Sequence, residues 1–91
     1  MANVSVEKTA VTRAISLCEH SINEFDKTSH DLKRTYDMAG ANWRDAKYQQ
    51  LGGIVNDCTT ALTKPIEELG GCITTLKALL REIEAYEALD I

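Results

Sequence analysis

Residues 32–55 of this chain read LKRTYDMAGANWRDAKYQQLGGIV, in which a Gly-Ala-Asn turn at 40–42 separates two segments with helical spacing of apolar residues. On both sides the apolar residues recur at intervals of three and four, which keeps one face of a helix against a partner helix. The first series is Val4, Val11, Ile15, Cys18, Ile22, Phe25, Leu32, Tyr36 and Ala39. The second series is Tyr48, Leu51, Val55, Cys58, Leu62, Leu69, Cys72, Leu76, Leu79, Ile83 and Tyr86. The pattern predicts an all-α protein, an antiparallel two-helix hairpin of the helix-turn-helix coiled-coil type.

The predicted boundaries are a first helix over 4–39, a bend at 40–42 and a second helix over 43–89, in one domain of residues 1–91. Gly40 is expected to end the first helix in a left-handed conformation. Asn42 is the expected N-cap of the second helix, and Asp45 three residues later is expected to complete a capping box. Pro65 removes a backbone hydrogen bond, so we expect a kink near 61–65.

Composition excludes several classes of function. The 91 residues carry a net charge of −4, so neither nucleic acid nor an anionic membrane surface is an expected partner. No run of about 18 apolar residues is present, and membrane insertion is not expected. The first residues, Met-Ala-Asn-Val-Ser, lack the layout of a cleaved signal peptide. We therefore expect a cytoplasmic protein, unless it is exported by a route that needs no such peptide.

The three cysteines all fall on the predicted seam between the helices. In a hairpin that turns at 40–42, Cys18 is expected opposite residues near Pro65, about 10 Å along the axis from both Cys58 and Cys72. That separation is too large for a disulfide. We expect all three residues to be reduced thiols in the core, as in a cytosolic protein.

No arrangement of side chains predicts catalysis. The two histidines, His20 and His30, have no partner at a metal-ligand spacing. The two Gly-Gly pairs lack the Lys-Ser or Lys-Thr of a phosphate loop. The acidic residues near the end of the second helix lack the glycine of a calcium-binding loop. The sequence therefore predicts a protein that is not an enzyme, with no catalytic residues, no metal and no cofactor.

Apolar residues flank the predicted seam on both helices. The second helix carries Ile66, Ile73 and Leu80 on one flank and Ile54 and Ala61 on the other, and the first helix adds Ala10, Ala14, Leu17 and Met38. Because a lone hairpin has a single internal seam, these residues predict a partner surface and a four-helix bundle dimer. We assign the interface to Ile54, Ile66, Ile73, Leu80 and Leu17. The alternative is that the flanks only widen the contact within one chain.

Trp43 is the single Trp and stands beside the bend. One interpretation is structural, with the ring covering the end of the seam against Ala39 and Lys47. The other is functional, because a Trp with a free indole edge is a good interface anchor. Both interpretations stay open from the sequence.

The bend motif consists of Gly40, Ala41, Asn42, Trp43, Arg44 and Asp45. A chain of this length, with two long helices and a Trp at the bend, resembles the Trp-x-Gly (WXG) family of small substrates of type VII, or ESX-type, secretion. The family has Gly two residues after the Trp, whereas this chain has Asp45, so the resemblance is to divergent, WXG-like members. The family's export signal is a Tyr followed four residues later by an acid, and Tyr86 and Asp90 have that spacing.

The resemblance implies a small protein that is secreted or displayed at the cell surface, or that escorts a larger substrate. The expected partners are a second copy, another helical hairpin or the N-terminal helical domain of a toxin, together with the secretion ATPase that reads Tyr86 and Asp90. Tyr86 also falls on the predicted seam, so packing in the core is an alternative role for it. The alternative function is a cytosolic helical adaptor or structural subunit with no export.

Overall fold

The chain folds as two long helices that lie antiparallel, as the spacing predicted. The computed structural model describes residues 4–89, with α1 at Val4–Ala39 and α2 at Ala46–Leu89. The molecule is a rod of 70 × 17 × 16 Å. No helix among residues 4–89 is both long enough and apolar enough to cross a membrane.

The bend is longer than predicted and ends on a different cap. α2 begins at Ala46 and not near residue 43, because Asp45 and not Asn42 accepts the first free backbone N–H groups. Asp45 is therefore the N-cap and not the third residue of a capping box. Gly40 does not have the left-handed conformation expected of it, since no glycine in the described chain has a positive φ. Beyond the bend, α2 continues without a break through Pro65.

The seam on α1 is confirmed. Half-buried or buried residues follow the predicted series from Val11 to Ala39, and Ser29 fills the gap between Phe25 and Leu32. Ile15 is 7% exposed and is the one apolar side chain of the described residues that is fully in the core. The core is therefore narrow and consists of one row of side-chain contacts between the two helices.

One of the two predicted columns of the seam on α2 is confirmed, since Tyr48, Val55, Leu62, Leu69, Leu76 and Ile83 are all half-buried. The second predicted column is largely replaced by its neighbour. Thr59, Ile66, Ile73 and Leu80, seven residues apart, are half-buried, whereas Cys58, Cys72, Leu79 and Tyr86 are exposed. The four seam residues continue the column that begins at Gly52, and Gly52 contacts the ring of Tyr36 on α1. This contact fixes the rotation of α2 about its own axis, which turns the Ile66 column inward.

Two predictions change as a result. Ile66, Ile73 and Leu80 pack between the two helices of one chain. They do not form the flank that the sequence assigned to a partner, so the alternative stated for them, a wider contact within one chain, describes them. Cys58 and Cys72 are exposed and are not core residues, while Cys18 is half-buried and all three are free. Cys18 lies across the seam from Gly71 and Cys72, with which it lines one groove, and not near Pro65.

Candidate functional site

Two tyrosines join the helices at the bend. The rings of Tyr36 and Tyr48 stack with centroids 4.3 Å apart and planes 4° from parallel. Each ring lies over a glycine of the other helix: a Cβ on Gly52 would be 2.8 Å from Cζ of Tyr36, and one on Gly40 would be 2.8 Å from Cζ of Tyr48. The missing Cβ atoms let the rings lie flat between the helices. The pattern Tyr-x-x-x-Gly, which occurs at 36–40 and again at 48–52, is the sequence signal for this contact.

The end of α1 is closed by a hydrogen bond from α2. The Tyr48 hydroxyl donates to the backbone carbonyl of Tyr36 at 3.0 Å, and the backbone N–H of Gly40 donates to the same oxygen at 3.2 Å. The carbonyl groups in the last turn of a helix have few N–H donors left within the helix, so they need donors from elsewhere. The Tyr48 side chain therefore both packs on α1 and caps it.

Asp45 organises the start of α2. Its Oδ1 atom accepts hydrogen bonds from the backbone N–H of Lys47 at 3.0 Å and of Tyr48 at 3.1 Å. The same oxygen accepts the indole N–H of Trp43 at 2.6 Å. A carboxylate at this place also meets the positive end of the helix dipole. Asp45 thus performs the cap and holds Trp43 in one orientation.

Trp43 has both of the properties considered for it. Its ring lies 5.7 Å from that of Tyr48, tilted by 56°, so it covers the tyrosine pair at the tip of the hairpin. It remains 37% exposed, which leaves an apolar edge at the tip. The aromatic contact of Trp43 is with Tyr48.

Tyr48 gives the bend a dependence on pH. Desolvation, followed by the contact with Tyr36, raises the pKa of the Tyr48 phenol above its ordinary value of 10.0. The folded chain holds this proton more tightly than the unfolded chain. The stabilising effect is therefore complete below pH 10.0 and is lost as the pH rises through the raised pKa.

We expect Tyr48→Phe to be less stable than the parent at neutral pH, because it lacks the hydrogen bond to Tyr36. The difference in free energy of unfolding between the two proteins should decrease as the pH rises from 10.0 through the raised pKa of Tyr48. Urea unfolding followed by Trp43 fluorescence at several pH values measures it. A difference that stays constant with pH would contradict the role of the phenol proton.

An apolar line of side chains remains uncovered along α2. We call it the outer column, with residues at intervals of seven: Leu51, Cys58, Pro65, Cys72, Leu79 and Tyr86. Leu51 and Pro65 are half-buried and the other four are exposed. Ile54 and Leu17, both assigned to a partner surface from the sequence, are 51% and 56% exposed. The outer column is the surface that the sequence placed in the core, because it too has the spacing of a seam.

Tyr86 does not pack in the core. It is 69% exposed on the last turns of α2, and Leu89 beyond it is 82% exposed. The neighbouring Glu87 forms an ion pair with Lys8 of α1, 3.4 Å between Nζ and Oε2, which ties the two helices together at this end. Asp90, the second residue of the predicted signal, lies outside the described residues.

The side chains of residues 5–89 form exposed surfaces and open grooves. Among them no group of His, Cys, Asp or Glu is arranged to hold a metal ion. The grooves along the rod are shallow spaces between the helices, such as the one lined by Thr28, Thr35 and Leu51. No family model, curated protein or solved structure matches this chain.

Proposed function

We propose that this protein is a WXG-like substrate or escort of a type VII secretion system. It acts by helical association and presents Tyr86 as part of an export signal, without catalysis. The observation that carries the proposal is the exposure of Tyr86 at the end of α2, where a receptor can reach it. In this proposal the protein is cytoplasmic before export and is secreted or held at the cell surface afterwards.

The spacing of the signal supports recognition of two groups at once. Tyr86 and Asp90 are four residues apart in the sequence, which is the spacing at which two side chains can be read together by one helix-binding groove. A groove of the secretion ATPase could then contact the phenol and the carboxylate together. Because Tyr86 adds nothing to the core, selection for packing does not account for an aromatic residue at this position.

The bend supports the resemblance despite its missing glycine. Gly at the position of Asp45 would supply no side-chain acceptor. The Asp45 carboxylate caps α2 and binds the indole of Trp43, so the chain forms its bend with Trp at the tip by another chemical route. Trp43, 37% exposed, stays available as an anchor for a partner.

The surface area supports association. A folded chain of 10.1 kDa is expected to expose about 5,300 Å², whereas this chain exposes 7002 Å². The difference follows from the rod shape, which leaves large apolar side chains such as Leu79 exposed, and a row of exposed apolar side chains is typical of a contact surface. A helical hairpin or the helical domain of a larger secreted protein has the matching shape.

The test is export of Tyr86→Ala from a host with an active type VII system. We expect the variant to remain in the cells while the parent reaches the culture fluid, because the ring read by the ATPase is gone. Leu89→Ala is the matched control, since it removes an even more exposed apolar side chain about one turn away and should be exported. Immunoblots of cell and culture fractions measure the distribution.

Helix content and association state are compared for all three proteins to exclude misfolding. Export of Tyr86→Ala at the level of the parent would contradict the signal. Retention of the parent itself in an active host would favour the second candidate, a cytosolic helical adaptor or structural subunit. The uncovered apolar face of α2 supports that candidate as well, because an adaptor also needs a docking surface.

A further inference from the structure

The outer column of α2 reads the same in both directions from Pro65. Cys58 and Cys72 stand seven residues to either side, and Leu51 and Leu79 stand fourteen residues to either side. On a helix each step of seven residues is about 10.5 Å, so the symmetric part of the column extends over about 42 Å. The phase of α2 in the structure places these five residues in one line on the outside of the helix, with Cys58, Cys72 and Leu79 exposed and Leu51 and Pro65 half-buried.

We propose that the symmetric part of the outer column, from Leu51 to Leu79, is the contact surface for a second copy of this chain, with α2 antiparallel to α2 of the other copy and the two-fold axis beside Pro65. Tyr86 lies beyond this segment and stays available to a receptor. In a two-fold interface, residue i meets residue j and residue j meets residue i. A palindromic column satisfies this condition with like residues in register. Cys58 faces Cys72 of the second copy, and Leu51 faces Leu79 of the second copy.

This arrangement places α1 against α1 of the second copy, and the side chains there allow it. The column of α1 on the same side of the hairpin has only small side chains, Ala14, Ser21, Thr28 and Thr35. Thr28 and Thr35 share a groove with Leu51, which places the two columns on one face. Small residues let two helices approach closely, so the dimer is a four-helix bundle of two layers.

The opposite face of the hairpin is polar, so it offers no apolar surface to which a third copy could bind. Its columns on α2 and α1 include Gln49, Asn56, Thr63, Lys77, Glu84, Thr12, Glu19, Asp26 and Lys33. Lys33 and Asn56 line a groove together on that side. With one apolar face for each chain, association stops at two copies and does not continue into a filament.

The surface of the rod is large enough for a dimer interface. Each chain exposes about 1,700 Å² more than a compact chain of its mass, and its surface of 7002 Å² includes the whole outer column. A specific interface buries about 800 Å² on each partner, and one face of a rod 70 Å long and 17 Å wide is large enough to supply it. The inference names the partner for the association half of the proposed function and rests on it.

Cross-linking with a short bis-maleimide tests the register. All proteins carry Cys18→Ala, so that only Cys58 and Cys72 react. The protein with both cysteines should give a covalent dimer. Cys58→Ala and Cys72→Ala should each give none alone, and a mixture of the two variants should give the dimer again, because Cys58 of one chain then meets Cys72 of the other.

Light scattering of the same samples identifies the species present, and circular dichroism confirms that each variant is helical. Cross-linking of either single-cysteine variant with itself, as efficient as that of the mixture, would overturn the axis at Pro65. A dimer by light scattering with no cross-link in any sample would move the interface to another face. A chain that remains monomeric at high concentration would contradict the proposal that a second copy binds this surface.

A chain that stays monomeric contradicts the homodimer but not the proposed function. The proposed function still holds if the chain pairs with a different helical hairpin and Tyr86→Ala blocks export. If the cross-linking pattern is as expected but the export experiment fails, the dimer is supported and the export signal is contradicted. The two proposals are thus separated by the pair of experiments.

Discussion

Replacing Ile15 by Ala should lower the free energy of unfolding by about 2–5 kcal/mol, the range for truncation of a buried aliphatic side chain. Ile15 is 7% exposed and is the one large apolar side chain among the described residues that counts as buried. A chain of this size has a total stability of about 5–14 kcal/mol. The loss is therefore a large share of what holds the hairpin together, and heating or urea followed by circular dichroism measures it.

Leu17→Ala is the matched control, two residues further along the same helix. Leu17 is 56% exposed, so its truncation should change the stability of the single chain by about 0.5 kcal/mol or less. Both variants are measured at a protein concentration below association. Equal losses for the two variants would contradict the assignment of the seam on α1.

Adjacent glycines on α2 should respond to the same substitution in opposite directions. A Cβ on Gly52 would lie 2.6 Å from Oη and 3.1 Å from Cε1 of Tyr36, which is too close for the stacked ring to stay in place. The overlap should cost about 1–3 kcal/mol, against about 1 kcal/mol gained in helix propensity. A Cβ on Gly53 meets nothing within 4 Å, so Gly53→Ala should gain about 0.5–1 kcal/mol.

Thermal unfolding of the two variants gives the comparison, and the fluorescence of Trp43 reports on the tip. We expect a higher midpoint for Gly53→Ala, and for Gly52→Ala a changed emission with no gain in midpoint. Equal stabilisation of both variants would mean that helix propensity outweighs the contact with Tyr36. The tyrosine pair would then not fix the rotation of α2.

The hairpin and the seam of α1 follow directly from the spacing of apolar residues. On α1 a single series from Val11 to Ala39 has the right period and the neighbouring columns are mostly polar, so one phase is possible. On α2 the column of Ile66 and the column of Cys72 are both apolar with the same period. Burying either beside Leu62 and Leu69 satisfies the pattern, and the hydrophobic effect has no direction that would choose between them.

The N-cap of α2 is a second feature that the sequence pattern alone does not decide. Asn42 and Asp45 are both favoured at the start of a helix, and the local sequence admits either. Packing of Tyr48 on Gly40 and of Tyr36 on Gly52 requires three more residues in the bend, so Asp45 becomes the cap. Trp43 then lies outside the helix and bonds to Asp45.

Periodicity, which is a property of the chain read in one dimension, is enough to establish two antiparallel helices and the inner face of the first. The angular position of the second helix depends on a contact between residues sixteen apart, Tyr36 and Gly52, where the absence of one carbon atom lets a ring approach the backbone. That contact, visible once the helices are side by side, turns Ile66 toward the inside and leaves Cys58, Cys72 and Tyr86 facing outward.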